Sequence, residues 1–304
     1  MAIFLHIMIF LLITFLFLHI RFQFKINNGF EIYELDYSTN ENLQHACDVR
    51  LPIILNTPNE YVAIPTTKSK QQLNTNVHIY ESNNLHSEPL IIHLNAALDL
   101  LHNKQNNTDQ NENESDINVD KNARFSFTNE SFIKETELDD DFSDNDKLWK
   151  PPLTIITEYD YIFGNNSAMI PLQYHIAFRR FICVYSGGSI KLKLTPWKNT
   201  KHLNPYYDYK NMQFSSSMTE LDTIKFTEII LDSGKMISIP PYYWYSIEFI
   251  SKGNNSKEND DAGGGDDKIV YCHSYTYKTA FNCLAITPEI AKQFYYNYIL
   301  SNDK

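Results

Sequence analysis

Glycine, basic residues and cysteine are all scarce in this chain of 304 residues, and each shortage narrows what it can be. With nine glycines there is no phosphate-cradling loop; the Gly187-Gly188 pair and the Gly263-Gly264-Gly265 run read as turn and linker. The 26 lysines and arginines are outnumbered by 37 acids, for a net charge of −11. No basic stripe with interleaved aromatics stands out, so nucleic acid is excluded as a partner on electrostatic grounds. The four cysteines, Cys47, Cys183, Cys272 and Cys283, form no C-x-x-C pair. Their apolar and aromatic neighbours suit buried free thiols in a reducing compartment, with Cys183 and Cys272 on neighbouring strands where oxidation could join them. Also missing are H-E-x-x-H, G-x-S-x-G and any Cys/His zinc spacing. The Asp139-Asp140-Asp141 run is a charge run, not an acid–base dyad. No βαβ unit and no internal repeat is visible.

What is present is apolar and aromatic bulk. Hydrophobic residues make up 43%, including 20 tyrosines and 19 phenylalanines, enough for a sizeable core. Residues 2–20, AIFLHIMIFLLITFLFLHI, carry no charge. As a helix they span roughly 28 Å, close to the thickness of a bilayer's hydrocarbon. No basic residue precedes the run and no small-residue cleavage site follows it, which favours an uncleaved anchor over a secretory signal. Arg21 and Lys25 follow directly, and the positive-inside rule then keeps the large domain in the cytosol or inside a virion. Five N-x-S/T sequons, at Asn106, Asn113, Asn129, Asn165 and Asn254, point the other way if used; in a chain this rich in asparagine most are accidental.

Behind the anchor (1–25) the chain divides into an N-terminal flank (26–102), an acidic insert (103–123) and a strand-rich remainder (124–304). LPIIL (51–55) and NVHIYES (76–82) read as short strands, and PLIIHLNAALDLL (89–101) starts apolar and then takes helical spacing. The insert has almost no apolar content and is expected to be disordered. Residues 103–147 hold 13 acids and 5 bases, most of the net charge. Residues 178–197 read as a hairpin about Ser186-Gly187-Gly188-Ser189, and Ile190, Leu192 and Leu194 alternate with Lys191 and Lys193, one face in and one out. A second polar segment, 252–267, is expected to be a flexible loop interrupting the pairing of YWYSIEFI with KIVYCHSYTYKTAFNCLAI. TPEIAKQFYYNYIL closes the chain as a helix capped by Thr287, with Pro288 at its first position. Many short strands with one long excursion predict a mainly β, antiparallel jelly roll.

Three segments in order, IPLQYHIAFRRFICVYSGGSIKLKLTPW, LDSGKMISIPPYYWYSIEF and TAFNCLAI, resemble the cupin-like JmjC family. They are similar above all to the cupin-like membrane proteins of large DNA viruses. LPIIL after NLQHACDVR looks like the family's first strand. The resemblance covers about residues 125–300 and implies a double-stranded β-helix. In catalytic members that frame holds Fe(II) with a His-x-Asp/Glu pair and a later histidine, and uses 2-oxoglutarate as cosubstrate. Two imidazoles and a carboxylate fix ferrous iron and leave positions open.

Carried onto this chain, the triad fails. The paired positions fall on Gln173 and His175, or on His175 and Ala177; the later histidine falls on Tyr245, with Ser246 beside it. A lone imidazole cannot hold an exchangeable ferrous ion. The resemblance therefore implies a membrane-anchored protein that has lost its iron triad and serves as a structural or binding module, with no catalytic, cofactor or metal residues and an unknown protein partner or a second copy of itself. The alternative is an Fe(II)/2-oxoglutarate hydroxylase with rearranged ligands, His175 and His273 among them. A third reading is a cupin that binds a sugar or small carboxylate through Tyr245, Lys191 and Lys193. Tyr242, Tyr243, Trp244 and Tyr245 are expected as core and rim, with Tyr245 filling the space of the ion.

Overall fold

The computed structural model describes residues 2–62, 69–82, 88–102, 123–208, 213–216, 224–252 and 269–295. The acidic insert, but for Ala123, and the loop at 252–267, but for Lys252, lie outside the described residues.

An uninterrupted apolar run gives the longest helix, α1 (Ala2–Gln23), with Arg21 in its last turn, where a cation complements the helix dipole. The chain then forms β1 (Tyr33–Leu35), α2 (Asn40–Cys47), β2 (Ile53–Asn56), α3 (Lys70–Asn74), β3 (Asn76–Glu81), β4 (Leu90–His93), α4 (Leu94–His102), β5 (Arg124–Ser126), α5 (Glu130–Glu135), α6 (Leu138–Asp144) and α7 (Asp146–Trp149). Longer strands follow: β6 (Thr154–Asn165), β7 (Met169–Tyr174), β8 (Arg179–Ser186) and β9 (Gly188–Thr195). After a 3-10 turn come β10 (Pro205–Asp208), β11 (Gln213–Ser216), β12 (Thr227–Asp232), β13 (Lys235–Ile239), β14 (Trp244–Ser251) and β15 (Ile269–Thr279). Helices α8 (Ala280–Ala285) and α9 (Thr287–Tyr295) end the described chain.

The strands build two sheets, one of nine in the order β1-β2-β13-β8-β15-β6-β5-β3-β4 and one of six in the order β10-β11-β7-β14-β9-β12. From β6 to β9, and again from β12 to β15, each strand lies in the opposite sheet from the one before it. This corrects two expectations. The segments flanking Gly187-Gly188 are no hairpin: β8 pairs with β13 and β15, whereas β9 pairs with β14 and β12. Likewise β14 and β15 lie in different sheets rather than side by side. Local alternation reveals a strand but not its partner. The two glycines instead make the corner between sheets. A Cβ on Gly187 (φ +83°) would lie 1.7 Å from the Ile269 carbonyl oxygen, and one on Gly188 2.2 Å from that of Ile250.

Both faces of the larger sheet are covered. Ile162, Ile182, Val184, Ile237 and Cys272 turn towards the smaller sheet and meet Ile190, Leu192, Ile247 and Phe249. Phe163, Phe181, Cys183, Tyr275 and Tyr277 turn the other way onto a helical layer that includes Leu43, Leu98, Phe142 and Trp149. Burial on both sides explains why β15 is apolar or aromatic along most of its length. It also separates the thiols: Cys183 and Cys272 belong to opposite faces, so the bond considered from sequence cannot form, and all four cysteines are free. Residues 26–102 are woven into this sheet, with β2 paired to β13 and β3 to β5. Thr287 does not cap α9; its hydroxyl donates back to the Cys283 and Leu284 carbonyls at the end of α8.

The corner glycine supplies a test. Gly187→Ala is expected to cost at least about 3 kcal/mol, because the methyl meets backbone that cannot yield. Gly234→Ala, at φ +88° but with nothing within 4 Å of the added carbon, should cost only about 1 kcal/mol of left-handed strain. Urea denaturation followed by tryptophan fluorescence measures both.

Candidate functional site

The site lies where β7 crosses to β8, at the end of the sandwich beneath α9. β7 and β14 are neighbours in the smaller sheet, with Gln173 opposite Tyr245. β8 enters the larger sheet with two arginines of opposite facing. Arg179 turns outward and ties down α2, donating to the Gln44 side chain (3.0 Å) and to Asp48 (2.5 Å). Arg180 turns inward. Its Nη1 donates to the Tyr245 hydroxyl at 2.6 Å and its Nε to the Thr276 hydroxyl at 3.0 Å, so one guanidinium links the two sheets. Gln173 Nε2 donates to the same Tyr245 oxygen at 3.3 Å. Burial holds the Tyr245 phenol above its ordinary range, with Arg180 pulling the other way.

The structure thus brings together Gln173 and Tyr245, two of the positions that the resemblance sets against an iron triad, and inserts Arg180 between them and β15. His175 sits nearby in the β7–β8 link, but its Nε2 faces the Ile239 carbonyl oxygen at 2.9 Å. A carbonyl only accepts, so Nε2 carries a proton. Burial first, and Arg180 second, push the pKa of His175 down to about 3. In return, the Tyr242 amide donates to the His175 carbonyl at 3.0 Å. This reciprocal pair latches the Pro240-Pro241-Tyr242-Tyr243 turn, in which Tyr243 N–H reaches Pro240 O and Tyr242 takes φ +62°. Proline followed by a residue of positive φ is a type II pattern that usually places glycine where Tyr242 stands. The Tyr242 ring is retained through contacts with Tyr174 and Trp197.

The neighbouring aromatics divide by strand parity. Tyr243 and Tyr245 enter the sandwich, while Trp244 turns to the outer face of the smaller sheet and donates to Thr200 at 2.8 Å. Lys191 and Lys193 lie on the outer face of β9, paired with Glu228 at 2.9 and 3.8 Å, and do not approach Tyr245's side of the sheet. His273 faces the helical layer, stacked on Tyr161 and Tyr185 with Nδ1 at 2.8 Å from the Tyr61 hydroxyl. His175 and His273 therefore stand on opposite sides of the larger sheet and cannot share an ion. Burial alone sends His273 down to about 3.

Outside this cluster opens a cavity of about 440 Å³, with Arg180 and Thr276 at its base, Asp160 and Tyr159 on one wall, Tyr174 on the other and Glu289 of α9 at its rim. Asp160 accepts from the amides of Thr128 (3.0 Å) and Asn129 (2.7 Å), which anchors the start of α5. Lys278 pairs with Glu158. This volume suits a small molecule or a side chain. The donor set does not suit ferrous iron: no group of three or more His, Cys, Asp or Glu side chains that could hold a metal ion occurs among the described residues. The glutamine amide, phenol and neutral imidazole are not a facial triad.

Arg180, Thr276 and Asp160 escaped the sequence reading. A signal existed for Arg180: two consecutive arginines opening a strand must face opposite ways, so one enters the interior. Asn129, one of the sequons, is buried, its amide nitrogen donating to Ser126 and to the Tyr161 carbonyl, and is no acceptor in the folded chain.

Two measurements follow. Tyr245→Phe leaves Arg180 Nη1 without its oxygen and should destabilise by about 1–3 kcal/mol, measured by urea denaturation. Both buried histidines stay neutral in the fold but protonate in the unfolded chain below about pH 6.5. Stability is therefore full above that pH and falls on acidification towards about 3, by about 1.4 kcal/mol per pH unit for each histidine. The slope between pH 6 and 4 should be shallower in a His273→Phe variant.

No protein-family model matches this chain, and no curated protein sequence matches it.

Proposed function

We propose that this chain is a membrane-anchored binding module on a cupin-like double-stranded β-helix, in which an arginine–tyrosine–glutamine cluster stands where related enzymes hold iron. The observation that carries this reading is the Arg180–Tyr245 contact at 2.6 Å, because it commits the phenol at the distal ligand position to a fixed cation. A metal ion there would have to displace a charge of its own sign. The strand-by-strand alternation between sheets supports the double-stranded β-helix, and the order of motifs supports the cupin-like, JmjC-like relationship.

Two features support the anchor. α1 is long and apolar enough to cross a bilayer, its span Ile3–Gln23 containing an 18-residue stretch with a mean hydropathy of 2.6. Its last turn also belongs to the fold: Gln23 is buried, and the Arg50 guanidinium lies 5.2 Å from the Phe22 ring and 5.1 Å from that of Phe178. Removal of α1 as a signal would strip one ring from a buried cation. What the module binds enters the 440 Å³ cavity, which Arg180, Tyr159 and Tyr174 line.

The test is metal loading of the full chain in detergent. After anaerobic incubation with Fe(II) or Mn(II), no stoichiometric metal and no 2-oxoglutarate turnover are expected. One ion per chain, lost in a His175→Ala variant, overturns the reading. In cell membranes, alkaline carbonate should leave the full chain in the pellet and release a chain lacking residues 2–20.

A further inference from the structure

Beyond α1, the exposed apolar residues include Leu153 at 67% exposure, Ile155 at 62% and Leu284 at 50%, beside others elsewhere on the surface such as Ile91 and Ile230. The first three adjoin the place where α1 meets the domain. Phe281 of α8 stacks on His19 of α1, ring centroids 4.6 Å apart at 15°, and meets Phe15 edge-on at 5.9 Å. Leu284 follows Phe281 by three residues and so shares its face of α8. The Ala280 amide donates to the Leu153 carbonyl at 3.1 Å, which holds the start of β6 against the start of α8. Leu153 and Phe281 also line one cavity with His19 and Phe22.

The contact fixes a depth. α1 has 22 residues, about 33 Å at 1.5 Å per residue, scarcely more than the roughly 30 Å of bilayer hydrocarbon. Phe15 lies eight residues, about 12 Å, before the end of the helix. A helix that spends nearly its whole length crossing the membrane therefore carries its Phe15–His19 level below the headgroups, and whatever touches that level goes with it. Phe281 touches it, and the surface around Phe281 is aliphatic. Of the ionic groups around this cavity, Asp48 pairs with Arg179 at 2.5 Å and Lys150 with Asp146 at 2.6 Å, while Glu41 and His45 of α2 face solvent.

We propose that this end of the domain is seated in the bilayer interface, with Leu153, Ile155, Phe281 and Leu284 in contact with lipid acyl chains, so that the protein is held by a docked face as well as by its helix. Aromatic and aliphatic side chains at the boundary of headgroups and chains are stabilised there by burial of apolar area. The proposal rests on the anchor reading and adds a partner, the lipid, for a surface that reading leaves bare. It also fixes the domain's orientation, with the far turn after β6 pointing away from the membrane.

The experiment uses the full chain in phosphatidylcholine–phosphatidylserine vesicles with an environment-sensitive fluorophore on single cysteines, in a Cys283→Ser background that leaves only the three buried thiols. Labels go at Leu153→Cys and Leu284→Cys, at Phe10→Cys within α1, and at Asn166→Cys beyond the far end of β6. That strand's 12 residues put the last site about 36 Å or more away. Expected are blue-shifted emission at Leu153→Cys and Leu284→Cys and several-fold stronger quenching by shallow lipid-borne nitroxides than at Asn166→Cys, with Phe10→Cys quenched by deep nitroxides. If Phe10→Cys reports hydrocarbon while both tip labels behave like Asn166→Cys, the docked face is overturned and the anchor stands. Water-like emission at all four sites removes the anchor and the docked face together.

Discussion

A guanidinium half-buried at the end of a β sandwich constrains what surrounds it, because the part of it that leaves water must find oxygen atoms in fixed places. Arg180 finds them on both sheets, in Thr276 of β15 and Tyr245 of β14. Those hydroxyls can meet it only if β8 and β15 are neighbours and β14 lies across the sandwich. The register of three strands and the separation of the sheets at this end are therefore tied to one side chain. Asp160 stands in its vicinity, held by two backbone amides; burial raises its pKa, while those amides and Arg180 pull it down.

The same cluster explains the turn that follows β13. A type II turn with tyrosine at the left-handed position is strained, and the cost, on the order of 1–2 kcal/mol, is offset where the turn is gripped from both sides. His175 supplies that grip with its ring nitrogen and its carbonyl. His175 is thus a brace for the loop opposite. Its proton sits on the nitrogen that the brace uses, and burial keeps it neutral.

At the N-terminal end the governing quantity is length. α1 is long and apolar enough to span a hydrocarbon layer with little to spare, yet its last turns are packed on α8 and beside Arg50. Helix and domain are thus not joined by a slack linker; where the helix goes, α8 and the start of β6 follow.

Several elements were legible from the chain alone. The apolar run of α1, the change from strand to helix across β4 and α4, and the alternation of Ile190, Leu192 and Leu194 with two lysines are local patterns, and local periodicity is enough to declare them. So was the poor match of Gln173, His175 and Tyr245 to a ferrous triad, since donor chemistry is a property of residue type. Strand partners were not legible. The Gly187-Gly188 corner looks like a hairpin because turn chemistry is shared by chains that fold back and chains that change sheets. The side of the sheet on which His273, Cys183 and Cys272 end up, and the meeting of Arg180 with Tyr245, depend on pairings between distant residues, such as His273 with Tyr161, 112 positions apart. The sequence by itself determined which segments are apolar and where the backbone must turn. Only the tertiary structure decided which faces meet, because that choice is made by burial and hydrogen bonding between strands that are distant in the chain.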